Sequence, residues 1–509
     1  LLNAKPVNEV QIMRKTVIDG SNTAGFQRTM LVAADGAVET SEGKSVIQYV
    51  SLEEDAARNI SKTLTSVTYR LDRLGIPLIE LVTDPSLRNP KQAMETARLL
   101  GDVLRSCRVK RGLGTIRQDV SVSVNGGTRI EIKGVQTLEF IPAIVENEAR
   151  RQIALIGIAA EIAVTGTPQP RFAEFEKTAV EFVLPDLGKS EKVEKNTKAL
   201  ALRVPSAAPF IKQKVCPLRD LEQEFIDRCR VKAPEAKSFF EHSPEAQNRV
   251  GAKLLAELRA KTRCAPEDAL FIAIGGEHEV RVAAHSIAVR AEELFAGVPR
   301  ETRRALEDGS TEYMRPLPGA ARMYPETDVP QIRISSDYIK RLKNSLPELR
   351  SKRLERLKVQ YGLERGEATE IMDADYASAL ESAVRLGLNA KLAANEILAF
   401  LRTAPEKRIE RLSENDLLAC FKAVKDGAVP RESLQNCLNE AAARGAAQAI
   451  AKISAGGARA GDVDAVVARI VATNPGKGFQ ALMGDVMREL RGKASGAEIS
   501  EKLKKALEK

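Results

Sequence analysis

The sequence predicts a multidomain α+β protein, with strands and helices mixed in its N-terminal part and helices alone in its C-terminal part. Three observations carry this. The chain has 509 residues, too many for one hydrophobic core, so two to four domains are expected. Residues Asp119–Lys133 alternate apolar and polar side chains around Asn125-Gly126-Gly127, the pattern of a β-hairpin. Beyond Ser335, Ala, Leu, Glu, Lys and Arg dominate and strand signals nearly vanish.

In chain order, Ser45–Val50 reads as a strand that runs into Ser51-Leu52-Glu53-Glu54-Asp55. Ile76–Ile79 reads as an apolar strand ending in the single acid Glu80. Asn89-Pro90 is an N-cap followed by proline at the first helical position. Ala93, Ala97, Leu100 and Leu104 continue that helix to about Cys107. In the hairpin, Val120, Val122 and Val124 alternate with Asp119, Ser121 and Ser123, and Ile130 and Ile132 alternate with Arg129, Glu131 and Lys133. A helix from Ile144 to about Ala163 stops at Thr165-Gly166-Thr167-Pro168. Between Glu181 and Val298 the texture changes. Short strands (Val180–Leu184, Ala199–Val204, Ala269–Ile274) sit among charged helices, as in a separate α+β module. Arg315–Pro330 reads as irregular, and Ser454–Gly461 as a linker.

Composition narrows the function classes. With 43% hydrophobic and 29% charged residues the chain reads as soluble and globular. No run approaches the roughly 18 apolar residues of a membrane span, and Leu1–Pro6 is not a signal peptide. Six scattered cysteines without a CxxC pair argue against a zinc ribbon or disulfide framework and suit a reducing cytoplasm. Three histidines are too few for a typical histidine-built site, so carboxylates, lysines and arginines are expected to do any chemistry. A net charge of +9 makes a polyanionic partner plausible. With 4% aromatic residues and no Trp, backbone and shape reading of a nucleic acid is favoured over base stacking.

Four clusters could carry chemistry. The Glu53-Glu54-Asp55 run suits Mg²⁺, which takes a few protein oxygens plus substrate phosphates; on spacing alone the acidic first turn of a helix is the commoner meaning. Glu80 is either another metal carboxylate or the polar end of a buried strand. Arg129, Glu131 and Lys133 project to one side of the hairpin, where Asp119 and Ser121 or Ser123 can face them. That face could hold triphosphate and metal, or be a solvated row of ion pairs. The Asp19–Arg28 loop, with Ser21 and Asn22 between Gly20 and Gly25, offers N–H groups to an anion but is neither a Walker loop nor a dinucleotide fingerprint.

Taken in order, the stretches Met13–Thr23 with Phe26-Gln27-Arg28, Leu52–Ala56, Leu71–Glu80, Lys110–Asp119, Arg129–Val135, Tyr313–Asp328 and Asn474–Gly484 resemble the GatE family, the E-type subunits of archaeal glutamyl-tRNA(Gln) amidotransferases. They are more loosely similar to the bacterial GatB proteins. The resemblance implies a cradle-like α/β catalytic domain (1–180 and 299–334) interrupted by an α+β module (181–298) similar to an insertion in bacterial-type aspartyl-tRNA synthetase. A helical domain (335–453) and a tRNA-binding tail domain (454–509) follow. The expected activity is ATP-dependent phosphorylation of the glutamyl side chain of Glu-tRNA(Gln). Amidation to Gln-tRNA(Gln) then uses ammonia from an asparaginase-like D-type partner, in a cytoplasmic heterotetramer of two D and two E chains. The alternatives are a non-catalytic tRNA-binding or assembly protein, and a bacterial-type GatB.

Carried onto this chain, the resemblance makes Glu53, Glu54 and Glu80 the expected Mg²⁺ ligands. Catalysis is expected from these together with Arg129, Glu131 and Lys133, and ATP contacts from Ser21, Asn22, Arg117, Asp119, Arg129 and Lys133. In the tail, Asn474–Lys509 carries eight Lys/Arg against five Asp/Glu, and Arg488, Arg491, Lys493, Lys502, Lys504 and Lys505 are the expected tRNA contacts. The family has further residues upstream, so the chain is expected to begin in mid-domain. An acid and a histidine that help bind metal are expected in that upstream part.

Overall fold

The computed structural model describes residues 1–509 apart from 64–65, 111–115, 172–174, 176, 185–196, 318–321, 405–411, 457–459, 491–493, 495 and 508–509. It divides into two compact units, Leu1–Pro347 and Glu348–Lys509.

The first unit opens with a meander of antiparallel strands: β1 (Ile12–Thr16), β2 (Phe26–Thr40), β3 (Gly43–Glu54) and β4 (Pro77–Thr83). Gly36 of β2 lies under the N-terminal segment. A Cβ there would stand 3.1 Å from Ala4 and 3.2 Å from Ile47, so a side chain at this position would press on both neighbours. Next come helix α1 (Pro90–Ser106), capped by Asn89 as expected, and the hairpin β5 (Val120–Val122) and β6 (Ile130–Lys133). Gly126 supplies the positive φ of +76° in the hairpin connection. Helix α2 (Ile141–Val164) covers the hairpin's aliphatic face, where Ile130, Ile132, Ile141 and Ile144 are fully buried. Each such isoleucine contributes roughly 1.5–3 kcal/mol by leaving water.

The module between α2 and residue 299 has a four-stranded sheet in the order Val180–Phe182, Lys198–Val204, Ala269–Gly275, Lys237–Phe240. Helix α3 (Leu221–Lys232) and helix α4 (Glu277–Ala296) belong to this module. Leu155, Ile158 and Ile162 of α2 share its core. The chain then returns to the hairpin: β7 (Glu301–Ala305) pairs parallel to β6, and β8 (Thr311–Pro316) pairs with β7. A buried ion network bridges these parts. Arg151 of α2 bonds Glu148 at 2.9 Å and Glu224 of α3 at 2.6 Å; Arg303 of β7 bonds Glu224 at 2.7 Å; Arg228 of α3 bonds Glu301 at 2.8 Å. Burial opposes the Glu224 charge, but Arg151 and Arg303 outweigh it and hold its pKa far below the usual carboxylate value.

The segment Arg315–Pro330, expected to be irregular, instead supplies a strand, β9 (Met323–Pro325), to the open edge of β1. Its polar, Pro-rich sequence hides an edge strand that shows only once its partner is in place. The six-stranded sheet therefore runs β9-β1-β2-β3-β4, with Lys5–Pro6 also paired to β2.

The unit division falls after Pro347, not after 334. Ile332–Arg333 still pairs with Glu9–Val10, and the helix Ser336–Asn344 that follows buries no residue. The second unit is helical throughout its described residues. Helices between Arg350 and Gly456 enclose a core containing Leu380, Phe400, Leu417, Phe421 and Leu438. Three further helices, Ala460–Thr473, Phe479–Glu489 and Gly496–Leu507, enclose another with Val463, Leu482, Val486 and Leu503. The expected linker 454–461 is helix as far as Gly456 and again from Ala460, while 457–459 lies outside the described residues. No described helix is long and apolar enough to cross a membrane.

Candidate functional site

Strand register decides which side chains of the six-stranded sheet meet. On one face Ser51 stands opposite Glu80, Thr29 opposite Glu53, and Gln27 opposite Lys15. The Ser51 hydroxyl donates to Glu80 at 3.0 Å. Lys15 Nζ donates to Glu53 Oε1 at 2.9 Å, and Gln27 Nε2 to Glu53 Oε2 at 3.2 Å. Glu53 is only 7% exposed, so its charge is held by these donors and not by bulk water.

The polar face of the hairpin reaches the same place. Glu131 stands opposite Ser121, and Lys133 Nζ bonds Asp119 at 2.7 Å and Glu131 at 2.6 Å. Burial works against the Lys133 charge, but those two carboxylates raise its pKa. Burial and then Glu53 push the Glu80 carboxyl up; Ser51, Lys15 and Lys133 oppose the rise. Burial and then Glu80 and Glu53 likewise raise the Tyr49 phenol, against Arg129. Glu53, Glu80, Lys15, Lys133 and Arg129 thus form one electrostatic group, drawn from β1, β3, β4 and the hairpin.

Glu54 does not join it. The expected alternative of a helical first turn at Glu53–Asp55 fails because β3 runs on through Glu54. Alternation along that strand sends Glu54 to the opposite face, where Arg28 bonds it at 3.1 Å. Glu80, expected at a strand end, lies within β4, which continues to Thr83, and Ile76 and Ile79 are exposed instead of buried. Among the described residues no three His, Cys, Asp or Glu side chains gather where a metal ion could be held, and of the expected Glu53, Glu54 and Glu80 only Glu53 and Glu80 share a face. Two carboxylates and a hydroxyl still suit a hard, oxygen-seeking ion that takes its remaining ligands from phosphates and water.

The opposite face holds a clamp that sequence reasoning missed. Glu326, its side chain enclosed, accepts from Arg14 and from Arg28 Nε at 2.7 Å, tying the segment after β9 to β1 and β2. The Arg14 hydrogen bond, aided by the Asp328 N–H and Arg28 and opposed by burial, lowers the Glu326 carboxyl to about 2. Lys15 was missed as well. The signal was available: period-two reading of Ile12–Thr16 puts Arg14 and Lys15 on opposite faces, each beside the matching residue of Gln27-Arg28.

In the Asp19–Arg28 loop, Asp19 accepts from the Ser21 backbone N–H at 2.9 Å and hydroxyl at 2.6 Å, with Gly20 and Gly25 at positive φ. Asn22 is buried, and its Oδ1 has no partner among the described residues. The loop is pinned beside the end of β3 by Ala57 N–H donating to Ser21 O at 2.8 Å. Arg117 is engaged with Asp55 at 3.0 Å.

In the tail, Arg488 is 82% exposed and 3.7 Å from Asp485. Lys502 bonds Asp464 at 3.2 Å and Glu498 at 3.4 Å, and Lys505 bonds Glu501 at 2.8 Å. Lys504 stands over the Phe479 ring at 6.0 Å. Arg491 and Lys493 lie outside the described residues.

Residues 1–340, which include every strand of this site, match the family model described as the GatB/GatE catalytic domain. The chain belongs to the GatB/GatE family. It is similar to the glutamyl-tRNA(Gln) amidotransferase E subunit of Pyrococcus furiosus, 42% identical over 453 residues, 87% of this chain and 70% of that protein. The E subunit of Thermococcus gammatolerans is 38% identical over 98% of this chain and 81% of its own length. That of Methanocaldococcus jannaschii is 37% identical over all of this chain and 82% of its own length. The GatB/GatE match covers the residues that bring Glu53 and Glu80 together, and the helical unit is covered by the longer alignments.

Proposed function

We propose that the chain acts as the E-type component of a glutamyl-tRNA(Gln) amidotransferase, a carbon–nitrogen ligase, and that the face carrying Glu53 and Glu80 is where the glutamyl side chain is activated with ATP. The observation that carries the placement is Lys15 bonded to Glu53 at 2.9 Å beside the paired Ser51 and Glu80, with Lys133 and Arg129 acting electrostatically on Glu80 and Tyr49. Phosphoryl transfer to a carboxylate brings two anions together. A catalyst must neutralise both while holding the attacking and leaving oxygens in line.

In this reading a side-chain oxygen of the tRNA-borne glutamate attacks the γ-phosphorus and ADP leaves, giving an acyl phosphate. Ammonia attacks the acyl carbon, inorganic phosphate leaves, and a proton is lost to give the amide. Glu53 and Glu80 would hold Mg²⁺, which would supply Lewis-acid neutralisation of the phosphates. Arg129 contacts phosphate or substrate carboxylate. Lys133 does so as well, kept charged by Asp119 and Glu131. The loop with Ser21 and Asn22 lines the nucleotide, its buried Asn22 oxygen offering an acceptor. Arg117, through Asp55, steadies the end of β3.

The same proposal extends to partners. Ammonia comes from an asparaginase-like D-type partner, in a cytoplasmic assembly of two D and two E chains. The tail, through Arg488, Arg491, Lys493, Lys502, Lys504 and Lys505, meets the phosphates of tRNA(Gln). The 181–298 module is similar to the aspartyl-tRNA synthetase insertion. Glu-tRNA(Gln)-dependent release of ADP from ATP, measured with and without ammonia, tests the central step. Nucleotide turnover indifferent to the charged tRNA would refute it.

A further inference from the structure

Past the end of β3 the chain makes a short antiparallel ribbon that the proposed chemistry does not use, Arg58–Lys62 paired with Val67–Arg70. Its register sets Asn59 opposite Tyr69 and Arg58 opposite Arg70. Adjacent pairs in such a ribbon point to opposite faces. Tyr69 marks the inner face: its hydroxyl donates to the Asp19 carbonyl, and its ring lies 3.4 Å from where a Cβ on Gly20 would stand. The outer face carries Arg58 and Arg70, followed by Ser61 opposite Thr68, all four exposed. Like charges directly across a ladder repel. Arg73, just beyond the ribbon, pairs with Asp55 at 3.7 Å. Among the described residues neither Arg58 nor Arg70 has such an acidic partner.

We propose that this outer face binds the sugar–phosphate backbone at the 3′ end of the charged tRNA, with Arg58 and Arg70 sharing one phosphate. The inference rests on the reading of the chain as acting on Glu-tRNA. Two facing guanidinium groups with no acid between them are satisfied together by a single anion that offers several oxygens, and phosphate matches their planar forks. The hydroxyls of Ser61 and Thr68, on the same face, are donors of the kind that hold backbone oxygens without reading sequence. The ribbon is also close to the chemistry. Arg58 comes five residues after Glu53, no more than about 18 Å along a fully extended chain. The glutamyl group is esterified to the last ribose of the tRNA, so the phosphates just before that ribose must pass beside the surface that activates it. ATP is the other polyanion of the reaction. The loop proposed to line it touches the Tyr69 face of the ribbon, however, and the two arginines lie on the other.

The probe is a labelled RNA minihelix with a single-stranded 3′ extension, titrated against the full chain by fluorescence anisotropy at stepped salt, beside the same RNA without the extension. R58Q/R70Q should weaken binding of the extended RNA about tenfold, the scale of losing charge-assisted contacts to one phosphate. It should also reduce the slope of log affinity against log salt by about 0.7, the share of one single-strand phosphate. Removing the extension should cost the unaltered chain a similar factor and cost R58Q/R70Q little. ATP affinity, read by equilibrium dialysis, should not change. R58E replaces repulsion across the ladder with attraction, so it should melt no lower than the unaltered chain and still lose the RNA. If R58Q/R70Q binds both RNAs as the unaltered chain does, the ribbon is not the contact, and Glu-tRNA-dependent ATP turnover keeps the proposed function standing. A fall in ATP affinity with RNA binding intact gives the face to the nucleotide and overturns the inference. If charged tRNA does not stimulate ATP turnover by the unaltered chain, the functional reading falls and the inference falls with it.

Discussion

Glu53 and Glu54 are neighbours in the chain and lie on opposite faces of one strand, Glu53 held by Lys15 at 2.9 Å and Glu54 by Arg28 at 3.1 Å. Substitutions at the two positions should therefore separate. E53Q is expected to lower Glu-tRNA-dependent ATP turnover by about 100-fold or more, the scale of losing an electrostatic partner in a phosphoryl-transfer site. E54Q should keep most activity and lose about 0.5–1 kcal/mol of stability with its partly exposed Arg28 pair. Steady-state turnover and chemical denaturation of both variants check this, and equal losses of activity would return Glu54 to the site.

Glu80 gives a second separation, between chemistry and binding. E80Q keeps its place opposite Ser51 and removes only the charge. Acyl-phosphate formation should disappear while affinity for tRNA stays within about twofold, because the proposed tRNA contacts are phosphate contacts of the tail and not of Glu80. Trapping the acyl phosphate with hydroxylamine and titrating tRNA by filter binding reads both. Undiminished trapping would remove Glu80 from the reaction.

The ion network around Glu224 makes a prediction about stability alone. Arg151 and Arg303 both depend on its carboxylate, and all three are buried. E224A should cost about 3–5 kcal/mol by leaving the buried Arg151 and Arg303 guanidinium groups one carboxylate short. A denaturant midpoint equal to that of the unaltered chain would show that the network is dispensable. A Leu155→Ala substitution in the shared core, expected to cost about 2–5 kcal/mol, gives a reference for simple loss of packing.

The clamp on Glu326 sets an acid limit. Its carboxyl is lowered to about 2 in the fold, from about 4.5 when unfolded. A lowered carboxyl contributes stability that is complete above the unfolded value and is lost as pH falls through the folded one. The contribution should therefore fade between about pH 4.5 and 2. E326Q should be less stable than the unaltered chain at about pH 7, with the gap narrowing across that window. Thermal melts at stepped pH read the gap; a constant difference would mean that the clamp acts through packing and not through charge.

The tail prediction concerns salt. Replacing Arg488 and Lys504 with Gln should weaken tRNA binding and flatten its dependence on salt by about 0.7–0.9 log units for each phosphate no longer neutralised. Lys502, tied to Asp464 and Glu498, should matter less for that slope than Arg488. Salt titrations of tRNA affinity with an unchanged slope would move the contact surface away from these helices.

The sequence by itself determined a good deal of this protein. Asn89-Pro90 marked the start of α1, and the alternation from Asp119 to Lys133 identified the hairpin, its turn and the residues of its polar face. These are local signals: a cap, a turn and a period of two are written within a few neighbouring residues. The long matching stretches carried the family, because chemistry at a shared site preserves residue order. Tertiary structure alone decided which carboxylates meet. Whether Glu53 or Glu54 faces Glu80 depends on the register of β3 against β4, and a shift of one residue would exchange them. Glu326 reaches Arg14 and Arg28 across nearly the whole first unit, and Lys15 meets Glu53 only after β1, β2 and β3 have paired. Such pairings are set by distant strands coming together, which no single stretch of sequence contains.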